Sequence, residues 1–205
     1  VYNVGEIDPD AVFPKGSAPH GRSTRAPATG INGMVASAHP YASRAGLDVL
    51  RDGGNAIDAA VAVASTLNIA EPYMSGVGGI GIAMIYIAKE RRTRVLNFSG
   101  HAPNAAKPEM YNHLNAETGP ISPLVPGNVS GWMTMHDTYG SLPLSRVMRD
   151  AIKYADEGIA LTPFNADMVV ENLQRIDRFD TSQKAMIVER DGLSAGSVLR
   201  IPQLA

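Results

Sequence analysis

Gly76, Gly78 and Gly81 are spaced as G-x-G-x-x-G, the pattern by which a glycine-rich backbone cradles the pyrophosphate of a dinucleotide. That chemistry requires the glycines to leave a strand and open a helix, whose first amides then face the phosphate. In this chain they do the reverse. A helical pattern ends at Glu71 and Pro72, the glycines follow, and the apolar, β-branched run Ile82–Ile87 reads as a buried strand. The acidic residue that a ribose hydroxyl needs about 20 positions on is absent, because that region reads Phe98, Ser99, Gly100, His101. Four glycines within residues 76–81 let the backbone take positive φ and approach its neighbours without a Cβ in the way. The stretch is therefore expected to be a structural turn or an acyl-site loop. Saturable binding of NAD or FAD would overturn that expectation.

Other chemistry is mostly excluded. His20, His39, His101, His113 and His136 are scattered without H-E-x-x-H or comparable spacing, so no metal site is expected. No cysteine is present, which removes disulfides, thiol nucleophiles and thiolate metal sites together. No G-x-S-x-G elbow occurs, so a hydrolase triad of that type is unsupported. The sequons at Asn97 and Asn128 fall at a strand end and a helix entry, and are read as chance. A net charge of −2 gives no electrostatic case for nucleic acid or an anionic membrane. No apolar run approaches the roughly 20 residues of a membrane helix. Val1 is not followed by a signal-like segment; a leader removed or never present would read the same, so the compartment stays open.

The elements that must position any site follow from periodicity and punctuation. The 205 residues, 44% hydrophobic and 19% charged, suit one domain or one large piece of a bigger one. Residues 1–30 carry Pro14, Gly16, Pro19, Gly21, Pro27 and Gly30 with few large apolar groups, and predict an extended, surface-wrapping arm. Residues 34–37 predict a short strand. Pro40 opens a helix with Ala42, Ala45, Val49 and Leu50 on one face, ended by Gly53 and Gly54. Asn55 caps a second helix with Ile57, Ala60, Val61, Ala64 and Leu67 inward, and the alanines predict close packing of the two. After the glycine turn, strands at 82–87 and 93–98 predict a hairpin with a charged, solvated tip at 89–92. Prolines 103, 108, 120 and 123 exclude long elements from 100–125. Further helices are predicted from Asn128 to Tyr139, from Pro143 with Leu144, Val147, Met148, Ala151 and Ala155 inward, and after a Thr162–Pro163 cap with Phe164, Met168, Leu173 and Ile176 on its apolar face. The class is α/β in composition, with no internal repeat.

Four stretches occur in an order that resembles a known family. They are Gly33–Met34–Val35–Ala36–Ser37–Ala38–His39–Pro40, Gly53–Gly54–Asn55–Ala56–Ile57–Asp58–Ala59–Ala60, Glu71–Pro72 with Ser75–Gly76–Val77–Gly78–Gly79, and Val125–Pro126–Gly127 with Gly131. Together with Tyr139–Gly140, Leu142–Pro143 and Pro202–Gln203–Leu204–Ala205, they resemble the N-terminal part of the large subunit of γ-glutamyltransferase-type enzymes, over residues 31–205. The resemblance implies a four-layer αββα sandwich of the N-terminal-nucleophile hydrolase type, an α+β fold completed by a small subunit cut from the same precursor. It implies that the large subunit continues past Ala205. The nucleophile would be the small subunit's N-terminal threonine, with its own α-amino group as base. The oxyanion glycines would belong to that subunit too. No catalytic residue, cofactor or metal is then expected in this chain; the partners are the small subunit and a small-molecule amide, with a dimer of heterodimers as a further assembly.

In that family an arginine three positions before an Ala-Pro pair holds the substrate's α-carboxylate, a charge-assisted contact. Aligned on Ala102 and Pro103, this chain has Ser99 there, which supplies no charge. Ser99, Gly100 and His101 are the substrate-binding candidates, His101 as a partial substitute when protonated. Ile80 replaces a glycine common in the family. The resemblance thus implies an amidohydrolase or acyltransferase whose acyl group is not γ-glutamyl, such as an oxamate- or cephalosporin-acylase-like enzyme. Its rivals are a true γ-glutamyltransferase and a catalytically inactive homologue.

Overall fold

The computed structural model describes residues 28–188 and 193–205. The arm expected over 1–30 lies, apart from its last three residues, outside the described residues. The chain divides into two compact units. Among the described residues, one holds 28–34 and Ile82–Asn97, and the other holds the rest, from Val35 to Gly81 and from Phe98 to Ala205.

The first unit is an antiparallel hairpin of β1 (Ile82–Ile87) and β2 (Arg92–Asn97), registered Ile82 to Asn97 and Ile87 to Arg92. The second strand thus starts one residue earlier than its sequence pattern suggests. Glu90 N–H donates to the Ile87 carbonyl at 3.0 Å, and Arg91 takes φ 49° to close the turn. Lys89 to Arg92 are all exposed, the wet tip their charges predict. The expectation of a buried strand is corrected: along β1, Ile82, Met84 and Tyr86 share an exposed face and Ile85 alone is buried, the two-residue alternation of a strand.

The second unit begins without the expected strand. Residues 34–37 pair with no strand among the described residues, and Ser37 instead turns its hydroxyl onto the His39 carbonyl at 2.9 Å. Helix α1 (Pro40–Arg51) buries Ala42, Ala45, Gly46 and Val49, and Gly53 follows it at φ 90°. Helix α2 (Ala56–Ala70) opens on a capping box, in which Asn55 Oδ1 accepts from the Ile57 and Asp58 amides and Asp58 accepts from the Asn55 amide. The two helices pack as closely as their small residues allow: a Cβ on Gly46 would lie 2.7 Å from Val63 Cγ2. The buried surface of α2 differs from the expected stripe. Ala60 is exposed, while Asp58, Ser65, Thr66 and Asn68 are buried, because the helix is covered by later helices as well as by α1.

Residues 98–127 are irregular apart from a 3₁₀ turn at Pro108–Met110. Helix α3 (Asn128–Tyr139) follows and stops at Gly140 as expected. The helix predicted from Pro143 is two pieces, α4 (Leu144–Val147) and α5 (Arg149–Glu157). At Met148 ψ is −4°, far from the helical value of about −42°, which interrupts the ladder there. Helix α6 (Pro163–Ile176) is capped by Thr162 and buries Asn165, Ala166 and Val169, whereas Phe164 is exposed. The inward face is turned from the expected one because Asn165 is held inside by hydrogen bonds described below. A short α7 (Asp180–Ala185) leads to a small antiparallel sheet of β3 (Ile159–Ala160), β4 (Ile187–Val188) and β5 (Val198–Arg200), ordered β3-β5-β4. The core gathers Ile69 and Ala70 of α2, Ala151 and Ala155 of α5, Ile159, Leu161, Val169 and Leu199.

Candidate functional site

Three stretches far apart in sequence meet at the glycine turn, all within the second unit. As α2 ends, the Glu71 carbonyl accepts from the amides of Met74 and Ser75 at 2.9 and 2.8 Å. The Gly76 carbonyl accepts from Gly79 N–H at 2.9 Å and from Asn128 Nδ2 at 2.8 Å. The Gly79 carbonyl accepts from the amides of both Gly127 and Asn128, each at 3.0 Å. Phe98 N–H donates to Gly81, and Val125 N–H donates to His101, again at 3.0 Å. The turn, the segment Phe98 to His101 and the entry to α3 are thereby joined by main chain to main chain.

Close approach explains two of the four glycines. None of Gly76, Gly78, Gly79 and Gly81 has positive φ, so the expectation of left-handed backbone is corrected. A Cβ on Gly79 would lie 2.6 Å from Asn128 Nδ2 and one on Gly81 would strike the Phe98 ring, whereas Gly76 and Gly78 have room for one. A Cβ on Gly127 would overlap the Phe98 carbonyl oxygen, and one on Gly100 would lie 2.5 Å from the Val125 carbonyl oxygen and 2.9 Å from Ile80 Cγ2. The Phe98 ring is gripped between Gly81 and Gly131.

The turn runs into β1 rather than into a helix, the order its sequence suggests, and the Gly127 and Asn128 amides at the start of α3 bind the Gly79 carbonyl. Ser99 and His101 are exposed, on either side of half-buried Gly100, in the segment that the Val125 amide and Gly127 fix in place. Among the described residues no cluster of three His, Asp or Glu side chains is placed to hold a metal, and no helix is long and apolar enough to cross a membrane.

Two buried polar centres were not singled out by sequence reasoning. The first is Asn165, 1% exposed. Its Oδ1 accepts from His39 Nε2 at 3.1 Å and from the Thr162 hydroxyl, while its Nδ2 donates to the Ala70 carbonyl at 3.1 Å and to the Tyr73 hydroxyl at 2.5 Å. Burial pushes the Tyr73 phenol up, the Glu71 carboxylate adds to that, and only the Asn165 bond opposes it, so Tyr73 takes part as the neutral phenol. The second is Asp58, fully buried. It accepts from the Asn55 amide at 2.9 Å, from Ser141 N–H at 3.1 Å and from the Ser141 hydroxyl at 2.6 Å. Burial pushes its carboxyl up, but the Ser141 hydroxyl and the amides of Asn55, Ser141 and Leu142 outweigh burial and hold it below the usual carboxylate range. The local signals were present, a T-x-x-N cap at Thr162 and an N-x-x-D box at Asn55; the long-range partners were not. A cavity of about 270 Å³ beside Tyr73, walled by Met168, Ile176, Phe179 and Met186, has Arg175 as its one charged lining residue and so offers no acid–base pair.

The sequence model of the family described as Gamma-glutamyltranspeptidase matches residues 42–205. A glutathione hydrolase proenzyme of Bacillus subtilis (strain 168) is 37% identical over 73% of this chain and 27% of its own length. An acylase ACY 1 proenzyme of Pseudomonas sp. (strain V22) is 38% identical over 79% and 31%. An oxamate amidohydrolase proenzyme of Klebsiella pneumoniae is 34% identical over 85% and 34%. Among solved structures, Helicobacter pylori gamma-glutamyltranspeptidase superposes with a TM-score of 0.80 at 31% identity, over 87% of this chain and 53% of that one. An α+β chain with this turn, this ordered set of motifs and these relatives is a member of the γ-glutamyltranspeptidase family. It spans about a third of the length of the curated relatives it matches.

Proposed function

We propose that residues 31–205 are the N-terminal part of the large subunit of a self-processed amidohydrolase or acyltransferase, built as a four-layer αββα sandwich with a small subunit from the same precursor. In this reading the small subunit's N-terminal threonine attacks the amide carbonyl and its α-amino group takes the hydroxyl proton. The C–N bond breaks, the amine leaves with that proton, and the acyl ester passes to water or another amine. Backbone amides of the small subunit stabilise the oxyanion. This chain contributes the wall of the acyl pocket through Ser99, Gly100 and His101. A dimer of such heterodimers is the expected assembly.

The observation that carries the reading is the seating of Ser99 and His101 on a segment fixed to the glycine turn and to Gly127, with an uncharged residue at 99 where the family's arginine stands. A pocket without that guanidinium favours acyl groups lacking a free α-amino-acid carboxylate, of the kind named for the acylase and oxamate relatives. Ser99→Arg in the full-length precursor tests it. A hydrogen bond to a charged group contributes about 1.5–3 kcal/mol, so kcat/KM for a γ-glutamyl amide is expected to rise roughly 10- to 100-fold. No gain, with native turnover undiminished, removes Ser99 from the pocket. N-terminal sequencing of the polypeptide that copurifies with the chain tests the rest: a first residue of threonine is expected, and any other gives the inactive-homologue reading its place.

A further inference from the structure

The amide of Asn165 sits where α2 ends and the glycine turn begins. Ala70 is the last residue of α2, so its carbonyl is one of those the helix itself leaves without a partner. Asn165 Nδ2 reaches that carbonyl and the Tyr73 hydroxyl together, spanning Glu71 and Pro72 with one group. The orientation of the amide is dictated by its surroundings. The Tyr41 amide donates to His39 Nδ1 at 3.3 Å, so the His39 proton is on Nε2 and points at Asn165 Oδ1; a carbonyl can only accept, so Nδ2 faces Ala70. Every donor and acceptor of this side chain is used.

The far end of the turn is held in the same manner by another asparagine, Asn128, whose Nδ2 binds the Gly76 carbonyl while its own amide binds Gly79. Between the two anchors lie Met74 to Gly78, with Met74, Val77 and Gly78 exposed and with little side-chain packing of their own. A segment of that kind takes its position from its ends. The hydroxyl of Tyr73 is therefore not required to fill space, since Tyr73 is only half-buried and its ring already meets Phe164 edge-on at 6.3 Å.

We propose that Asn165 and Tyr73 are positioning residues for the glycine turn, setting its entry through the bond from Asn165 Nδ2 to the Tyr73 hydroxyl. Under the reading of the protein as an acyl-transferring enzyme, on which the catalytic consequence rests, they place the floor against which Ser99, Gly100 and His101 stand. Tyr73→Phe removes this bond and leaves the ring. In the full-length, processed protein, amide hydrogen exchange at Met74, Ser75 and Gly79 is expected to quicken about tenfold, with exchange at the core residues Val49 and Leu199 unchanged. A merely structural role would speed all of them in proportion to lost stability. On the best amide substrate, kcat is expected to fall about tenfold with KM within twofold, since misplacement of a reacting geometry by about 1 Å costs up to a hundredfold. Phe164→Leu, which removes the ring contact and keeps the hydrogen bond, is the control and should leave exchange and kcat unchanged. Exchange at 74–79 equal in wild type and Tyr73→Phe overturns the proposal. Quickened local exchange in a protein that cleaves no amide upholds the positioning and sinks the enzymatic reading instead.

Discussion

Gly127→Ala is expected to be the most damaging single-methyl change in the site, lowering kcat on the order of a hundredfold and stability by about 1–3 kcal/mol. The added Cβ would overlap the Phe98 carbonyl oxygen and lie 2.9 Å from its carbon, and both are backbone atoms that no rotamer change can move. The cost is steric only. Gly127 has φ −114° and ψ −18°, a conformation that alanine takes without strain. Relief requires either that the start of α3 withdraw, which breaks the two amide bonds to the Gly79 carbonyl, or that Phe98 and the residues after it shift. Either movement displaces Ser99 and His101. Gly78→Ala is the matched control: nothing lies within 4 Å of its Cβ and its φ is ordinary, so it should be close to neutral. Thermal unfolding and amide turnover of the two full-length variants, side by side, decide the matter. Equal behaviour would mean that the contact with Phe98 does not hold the site.

Asp58→Ala is expected to cost about 3–4 kcal/mol of stability. Removing the carboxylate leaves the Ser141 amide, the Ser141 hydroxyl and the Asn55 amide without an acceptor, at about 1–3 kcal/mol for each one that stays buried, and abolishes half of the capping box. It also unties residues 83 positions apart in sequence. Asp58→Asn keeps one oxygen and should cost about half as much. The pH dependence has a definite sign. The folded carboxyl lies below its unfolded value of about 4, so its contribution is complete above that value and is lost as pH falls through the folded one. The gap in unfolding temperature between wild type and Asp58→Asn should therefore narrow as pH drops from about 5 towards 3. A gap that stays constant over that range would show that the carboxylate is not selectively stabilised by these donors.

Much of the fold was legible because its signals are local. Pro40, Asn55, Thr162 and Gly53 start or stop helices through their own backbone and side-chain chemistry, and the structure uses each of them that way. The hairpin was legible for the same reason, from a strand-forming run on either side of a charged tip. What sequence pattern missed is long-range. Asn165 reads as a polar residue on a helix and faces inward because Ala70, Tyr73 and His39 wait there. Ala60 reads as inward and is outside, since periodicity marks one stripe and cannot say which side of a many-sided contact a helix will offer. The strand expected at 34–37 has no ladder partner among the described residues, and composition does not supply one. The site was legible only in part: the glycines marked the place, but Gly127 and Gly100 acquire meaning only once Phe98 and Val125 are seen against them.

The frame of this site is fastened almost wholly by peptide groups, with Asn128 as the one side chain that takes hold of the turn's exit. Peptide groups are the same whatever residue bears them. Under the proposed reading, substitution at Val77 or His101 would therefore change the chemistry facing the substrate and leave these peptide bonds in place. A lineage built on such a frame would then change acyl group in single steps, each intermediate still folded, while Gly100 and Gly127 stay fixed by the backbone against them.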